Sequence, residues 1–147
     1  MKSVLKFTIL ALLGLSMSGC MAKSAYYSDN KDEIEIIIDG IDAHDINGVN
    51  PYSITKEGNT VCVLEFIDAH EYNVRKKIAK NNNAYIITEI ENDIDKGVSY
   101  MLYRDDNYDY NYLMKLNNSK YTMILTSKYG KDKAKDCYNK LNFITKK

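Results

Sequence analysis

The feature that most constrains the fold of this chain is a series of four strand-like segments between residues 84 and 126. Each is rich in β-branched or aromatic residues, and short turns with Asn, Asp, Ser or Gly separate them. The turns contain three to six residues, which suits antiparallel neighbours, because parallel strands need a crossover of about a dozen residues. The predicted strands are residues 84–91, 98–104, 108–116 and 121–126. We therefore expect an antiparallel meander in this part of the chain.

The residues before the meander predict two strands and a helix. The β-branched run at 34–38 and the segment 61–66 are typical of strands, whereas residues 40–59 hold three Gly and the only Pro and indicate a loop. Asp68, followed three residues later by Glu71, has the spacing of a helix-capping box. Val74 and Ile78, one turn apart, are expected to form the buried stripe of that helix.

A last helix is predicted from about residue 131 to 142. Ala134, Cys137, Tyr138 and Leu141 recur at helical spacing and share one face. The predicted order of elements is β-β-α-β-β-β-β-α. It indicates an α+β fold, with one mostly antiparallel sheet of five to six strands and two helices packed on one face.

The first nineteen residues have the three zones of a signal peptide. Lys2 and Lys6 make the start positive, residues 7–15 form an apolar run, and residues 16–19 are small or weakly polar apart from Met17. The apolar run is about half of the roughly 20 residues that a helix needs to cross a bilayer. We therefore expect export and removal of this segment.

Residues 17–20, Met-Ser-Gly-Cys, resemble the lipobox of bacterial prolipoproteins, although Met17 stands where that family usually has Leu. The resemblance covers residues 1–20 only. It implies that the Cys20 thiol receives a diacylglyceryl group and that cleavage leaves Cys20 as the new N-terminus, with a fatty acid such as palmitate on its amine. Two or more acyl chains anchor a protein stably to a membrane. Ordinary secretion, with cleavage after Ala22, is the alternative.

The resemblance also implies a location in the cell envelope. Met21 follows the lipidated cysteine, and prolipoproteins without Asp at that position tend to reach the outer membrane and face the periplasm in Gram-negative cells. The expected organisation is a signal peptide at 1–19, a lipidated N-terminus and flexible tether at 20–32, and a single α+β domain at 33–147.

Charge is unevenly distributed along the chain. Residues 111–147 contain nine basic and two acidic side chains. Folding can mix these charges with the acidic part of the chain, or it can leave a basic face that contacts anionic lipid headgroups or glycan. Nucleic acid is not an expected partner, because the protein is exported and has no nucleic-acid-binding motif.

An internal echo contains both histidines of the protein. Residues 41–45 read Ile-Asp-Ala-His-Asp, and residues 67–71 read Ile-Asp-Ala-His-Glu. Both segments have the pattern of a helix start, with an Asp cap and an acid three residues later. Alternatively, His44 and His70 converge with neighbouring carboxylates on a zinc or copper ion, which imidazole ligands suit.

Three tyrosines alternate at the start of one predicted strand. Tyr108, Tyr110 and Tyr112 would share one face of the sheet, since side chains alternate along a strand. They could form a core-facing row under the helices. They could instead form an exposed stacking surface for a glycan or a partner protein.

Two cysteines remain once Cys20 is lipidated, and oxidation is favoured outside the cytoplasm. Cys62 alternates with Leu64 and Phe66 on the more apolar face of its strand, and Cys137 lies on the apolar stripe of the last helix. Both side chains are therefore expected to point into the same interface. We predict a disulfide between Cys62 and Cys137; the alternative is two buried free cysteines that act as small hydrophobic residues.

The sequence offers little support for catalysis. It contains no G-x-S-x-G, no H-E-x-x-H and no Gly-rich phosphate loop. We expect a non-catalytic envelope lipoprotein without a cofactor, whose domain binds a protein or cell-wall partner. The alternative is a periplasmic metal-binding lipoprotein that uses His44 and His70.

Overall fold

The computed structural model describes residues 23–39, 44–81 and 85–146. Cys20, the lipobox-like segment and the predicted signal peptide lie outside the described residues. Within those ranges there are ten strands and two helices. The strands are β1 (Lys23–Ser28), β2 (Glu33–Ile38), β3 (His44–Asn47), β4 (Tyr52–Lys56), β5 (Asn59–Ile67), β6 (Tyr85–Asp93), β7 (Val98–Arg104), β8 (Tyr110–Leu116), β9 (Thr122–Ser127) and β10 (Leu141–Lys146). The helices are α1 (Ala69–Asn81), between β5 and β6, and α2 (Lys131–Lys140), between β9 and β10.

The strands form two antiparallel sheets. The large sheet has seven strands in the order β3-β4-β5-β9-β8-β7-β6, and the small sheet has three in the order β1-β2-β10. Every strand pair is antiparallel, so the prediction of a mostly antiparallel α+β fold is confirmed. The prediction of one sheet with five to six strands is wrong, because β1, β3, β4 and β10 come from segments that the sequence did not predict as strands.

β1 lies in the segment predicted as a flexible tether. All six of its residues pair with β2. Ala25 and Tyr27 pack against the core, and the Tyr27 ring stacks on Phe66 with centroids 4.1 Å apart. β1 is therefore a strand of the fold that precedes the predicted domain start at Glu33, since this polar-looking segment pairs fully with β2 and partly buries Ala25 and Tyr27.

The β3–β4 hairpin replaces most of the loop predicted over residues 40–59. Ile46, Tyr52 and Ile54 point into the core. The turn is held by Asn50, whose Nδ2 donates to the Phe66 carbonyl at 3.0 Å and whose Oδ1 accepts from the Phe66 amide at 2.7 Å. The side-chain amide thus takes the place of a backbone partner beside β5.

The two helices pack on opposite faces of the large sheet. In β9, Met123 and Leu125 belong to the same core cluster as Cys137 of α2, whereas Ile124 clusters with Ala79 of α1. Successive strand residues point to opposite faces, so α1 and α2 cover opposite sides and the predicted one-face arrangement is wrong. The helices lie on opposite faces because the central strands contain runs of consecutive apolar residues. Such runs place apolar side chains on both faces of the sheet, and both faces must then be shielded from water.

The small sheet packs on the same face as α2. Ile34, Ile36 and Ile38 of its central strand are fully buried in the cluster that contains Cys62 and Cys137. The helix α2 ends at Lys140, two residues earlier than predicted, because Leu141 starts β10 beside β2. The larger hydrophobic cluster therefore lies between the large sheet, the small sheet and α2, and a smaller one lies under α1.

The structure brings together the two cysteines of the predicted disulfide. The Cys62 and Cys137 sulfur atoms lie at bonding distance, with their Cα atoms 6.7 Å apart. Both side chains are 1% exposed. The bond ties α2 to β5 across 75 residues.

Charges from distant parts of the chain meet in the fold. Lys120 pairs with Asp29, and Lys146 Nζ lies 2.9 Å from Glu35 Oε2. Some lysines of the basic C-terminal region are thus neutralised by acids of the N-terminal strands, which supports the intermixing of charges.

Candidate functional site

The start of α1 fixes the geometry of the candidate site. Asp68 Oδ1 accepts from the backbone amide of Glu71 at 2.7 Å, as predicted for a helix cap. The Glu71 carboxylate does not return to Asp68 in a reciprocal capping box. It accepts two hydrogen bonds from Arg75, at 2.9 and 2.6 Å. The Glu71–Arg75 ion pair therefore lies along one side of α1, where both residues line the groove described below.

The apolar side chains of α1 are only partly covered. Val74 is 40% exposed and Ile78 is 51% exposed, whereas Ala79 is buried, so the predicted buried stripe of Val74 and Ile78 is wrong. Seven strands about 4.8 Å apart span about 29 Å, and a helix is only about 10–12 Å wide. One helix therefore cannot cover this face, so part of the sheet beside α1 stays open.

The open flank of α1 borders a groove of about 380 Å³. Val74 and Ile78 form one wall, and Tyr103 of β7, which is 6% exposed, closes it from below. Asp105 and Asp106 form the opposite rim. The groove thus combines apolar and charged groups in its lining.

Beside the groove, one arginine lies between two exposed tyrosines. The guanidinium of Arg104 is 5.5 Å from the ring centroid of Tyr85 and 5.2 Å from that of Tyr108. Tyr85 is 63% exposed and Tyr108 is 71% exposed. Each exposed cation–π contact contributes about 0.5–1 kcal/mol. We call Tyr85, Arg104 and Tyr108 the clamp, because the contacts hold three long side chains in place.

A turn organised by Asp105 presents Tyr108. Asp105 Oδ1 accepts from the backbone amides of Asn107, at 2.9 Å, and Asp109, at 3.0 Å, and Oδ2 accepts from Asn111 Nδ2 at 3.0 Å. Tyr108 takes a left-handed backbone conformation, with φ of 63°. The carboxylate of Asp105 is therefore engaged in building the turn.

The groove and the clamp form one continuous surface. Asp105 and Asp106 border both the groove and a recess of about 160 Å³ that the clamp residues line. We refer to this region as the groove–clamp surface. Its tyrosines, its arginine and its aliphatic groups are the residue types that concentrate binding energy in protein interfaces.

The predicted row of three tyrosines does not form one surface. Tyr112 is 2% exposed and belongs to the core, Tyr110 is partly buried against it, and Tyr108 lies in the turn before β8 and is exposed. The row is divided because β8 begins only at Tyr110.

The exposed neighbour of the Arg104–Tyr108 pair is Tyr85, which sequence reasoning missed. The β6–β7 register, which pairs Tyr85 with Arg104, was the signal that could have found it.

The structure does not bring the two histidines together. His44 begins β3, is 1% exposed, and places its Nε2 atom 3.4 Å from Asp136 Oδ2 of α2. His70 lies in the first turn of α1, which packs on the opposite face of the large sheet. The two-histidine metal site is therefore not formed. The helix start predicted for 41–45 is also wrong at His44, which belongs to a strand.

Across residues 23–39, 44–81 and 85–146, no group of three or more His, Cys, Asp or Glu side chains is placed to hold a metal ion. In the same ranges, neither helix is long and apolar enough to cross a bilayer. Comparisons with protein-family models, curated proteins and solved structures give no significant match.

Proposed function

We propose that this protein is an envelope lipoprotein, anchored by lipid on Cys20, that binds a partner protein through the groove–clamp surface and catalyses no reaction. The observation that carries the proposal is the exposure of Val74 and Ile78 beside a clamp that is already ordered. An ordered surface loses little side-chain entropy when a partner binds.

The shape and chemistry of the groove favour a protein over a sugar. Val74 and Ile78 supply aliphatic surface to its lining, and burying the exposed part of each would contribute about 1 kcal/mol. Arg104 already stacks on both clamp tyrosines, so neither ring has both faces open to a sugar. An apolar side chain of a partner is the better occupant.

The rim of the groove adds a charge preference. Glu71 accepts hydrogen bonds from Arg75, and Asp105 accepts hydrogen bonds from the backbone of its turn. Asp106, next in the chain, is an exposed acid. A basic side chain next to the apolar anchor would complement this rim. We therefore expect the partner segment to combine an aliphatic or aromatic residue with a Lys or Arg.

The lipid anchor rests on the lipobox-like segment that ends at Cys20. Cys20→Ser removes the thiol that would carry the diacylglyceryl group. The variant is expected to lose acyl labelling and to leave the membrane fraction. Persistence in salt-washed membranes would mean that another feature anchors the protein.

The binding proposal is tested by comparing two isoleucine variants. Ile78→Asp places a charge in the groove, and Ile94→Asp places the same charge at a residue that is 81% exposed in the β6–β7 turn. Lipidated protein with each change is used to capture partners from native envelopes. We expect Ile78→Asp to lose the captured protein and Ile94→Asp to retain it. Equal recovery would contradict the proposal.

A further inference from the structure

β1 lies very close in the sequence to the proposed lipid anchor. Only Met21 and Ala22 separate Cys20 from Lys23, the first residue of β1. A fully extended chain spans about 3.3–3.6 Å per residue, so the Cα atoms of Cys20 and Lys23 are at most about 11 Å apart. If Cys20 carries the proposed lipid, Lys23 is held at the headgroup layer of the bilayer.

β1 is an integral part of the fold and is not a flexible linker. Lys23 forms an ion pair with Asp45 of β3, at the edge of the large sheet. Further along β1, Tyr27 stacks on Phe66, and Tyr52 donates a hydrogen bond to the carbonyl of Tyr26 at 2.7 Å. A lipid on Cys20 would therefore hold the whole domain close to the membrane surface.

The small sheet turns one face outward, away from the core. This face carries Tyr26, which is 50% exposed, and Ile144, which is 47% exposed, on either side of Glu35. Ile37, partly buried, follows on the same face of β2. Tyrosine and aliphatic side chains of this kind suit the boundary between headgroups and acyl chains.

The charge on this outer face is largely paired. Lys146 Nζ lies 2.9 Å from Glu35 Oε2 and 4.9 Å from the ring centroid of Tyr26, and Tyr26 donates to Glu35 Oε1 at 3.2 Å. The long stem of Lys146 can extend along an apolar layer while its ammonium group stays among headgroups. Glu33, which is also partly buried, lies at the far end of this face and pairs in register with Lys146.

We propose that the outer face of the small sheet lies against the headgroup layer of the membrane that holds the lipid on Cys20, with Tyr26, Ile37 and Ile144 in contact with it. The inference rests on the proposed lipid anchor. It also orients the partner site. The small sheet and α1 pack on opposite faces of the large sheet, so the groove–clamp surface points away from the membrane.

The chain contains no Trp, so a single introduced indole reports its own surroundings. We compare Tyr26→Trp, on the outer face, with Tyr108→Trp, in the clamp. Each lipidated variant is placed in phosphatidylethanolamine–phosphatidylglycerol vesicles whose acyl chains are brominated near the headgroup. An amphipathic surface at the interface lies about 5–10 Å into the headgroup–acyl boundary, so we expect about threefold stronger quenching at position 26 than at position 108.

Two further measurements keep the test decisive. Ile144→Trp is a second reporter on the same face and should be quenched as strongly as Tyr26→Trp. A Gly/Ser insert of about twelve residues between Ala22 and Lys23 behaves as a flexible coil and should weaken quenching at position 26. Equal quenching at positions 26, 144 and 108 in vesicles that carry the protein would overturn the membrane contact and leave the lipid anchor intact. Failure of the lipidated protein to float with the vesicles would overturn both.

Discussion

The ring of Tyr112 stacks on the ring of Tyr138, with centroids 4.4 Å apart and planes 5° from parallel. The Tyr138 hydroxyl donates a hydrogen bond to Asp93 Oδ2 at 2.8 Å. A strand tyrosine, a helix tyrosine and an acid at the end of β6 are thereby joined across the core. This relationship explains why Tyr112 supports the core and is not part of a binding surface.

Tyr138→Phe keeps the ring and removes the hydroxyl. Hydrogen bonds to charged groups contribute about 1.5–3 kcal/mol, so we expect the free energy of unfolding to fall by about that amount in urea titrations. Tyr129→Phe is the matched control, since Tyr129 is 66% exposed. Equal losses from the two variants would contradict the role assigned to the Tyr138–Asp93 bond.

Stability should fall in alkaline solution. Burial, with a smaller contribution from nearby Tyr100, raises the pKa of Tyr112 from 10.0 to about 12. The folded state therefore keeps a proton that the unfolded state releases, so this contribution is present below pH 10 and is lost as pH rises from 10 to about 12. Tyr112→Phe should make the loss of stability over that pH window shallower. An unchanged pH slope would contradict the assignment.

Reduction of the disulfide should destabilise the fold. The bond closes a loop of 75 residues, for which the chain-entropy model gives about 4.5 kcal/mol as an upper figure. Urea unfolding with and without reductant measures the difference, and the Cys62→Ala/Cys137→Ala double variant should match the reduced protein. Intact mass should rise by about 2 Da on reduction, since two hydrogens are gained. Equal masses would mean that the thiols are free.

The clamp should matter for binding more than for folding. Arg104→Gln removes two exposed cation–π contacts, each of about 0.5–1 kcal/mol, so we expect a loss of stability below about 2 kcal/mol. We also expect recovery of the envelope partner to fall about tenfold, as is typical for a central arginine of an interface. Lys128→Gln, at an exposed lysine outside this surface, should change neither quantity. Full recovery by Arg104→Gln would remove the clamp from the binding site.

Local patterns predicted much of the fold. β7 occupies the predicted residues 98–104, and the apolar phases of Cys62 and Cys137 predicted their pairing. β1 was missed because only Ala25 and Tyr27 mark its inner face, and its other residues are polar apart from Tyr26. Short strands of this kind form because partner strands complete them, which no local pattern encodes.

The candidate site was harder to predict because it depends on tertiary arrangement. Val74 and Ile78 have the spacing of a buried stripe, yet the fold leaves them on the open flank of α1, where they line the groove. The clamp unites residues 85, 104 and 108 through strand register and a turn. Of the three clamp residues, the predicted surface at Tyr108, Tyr110 and Tyr112 therefore contained only Tyr108.

The most direct test of the proposed binding surface is site-specific photo-crosslinking of the lipidated protein in its native envelope. A photoreactive phenylalanine analogue replaces Ile78 in the groove or Tyr108 in the clamp, and Ile94, which is 81% exposed in the β6–β7 turn, is the control position. We predict the same protein adduct from positions 78 and 108, and none from position 94. Equal adducts at all three positions, or no adduct at 78 and 108, would contradict the groove–clamp surface as the site where a partner protein binds.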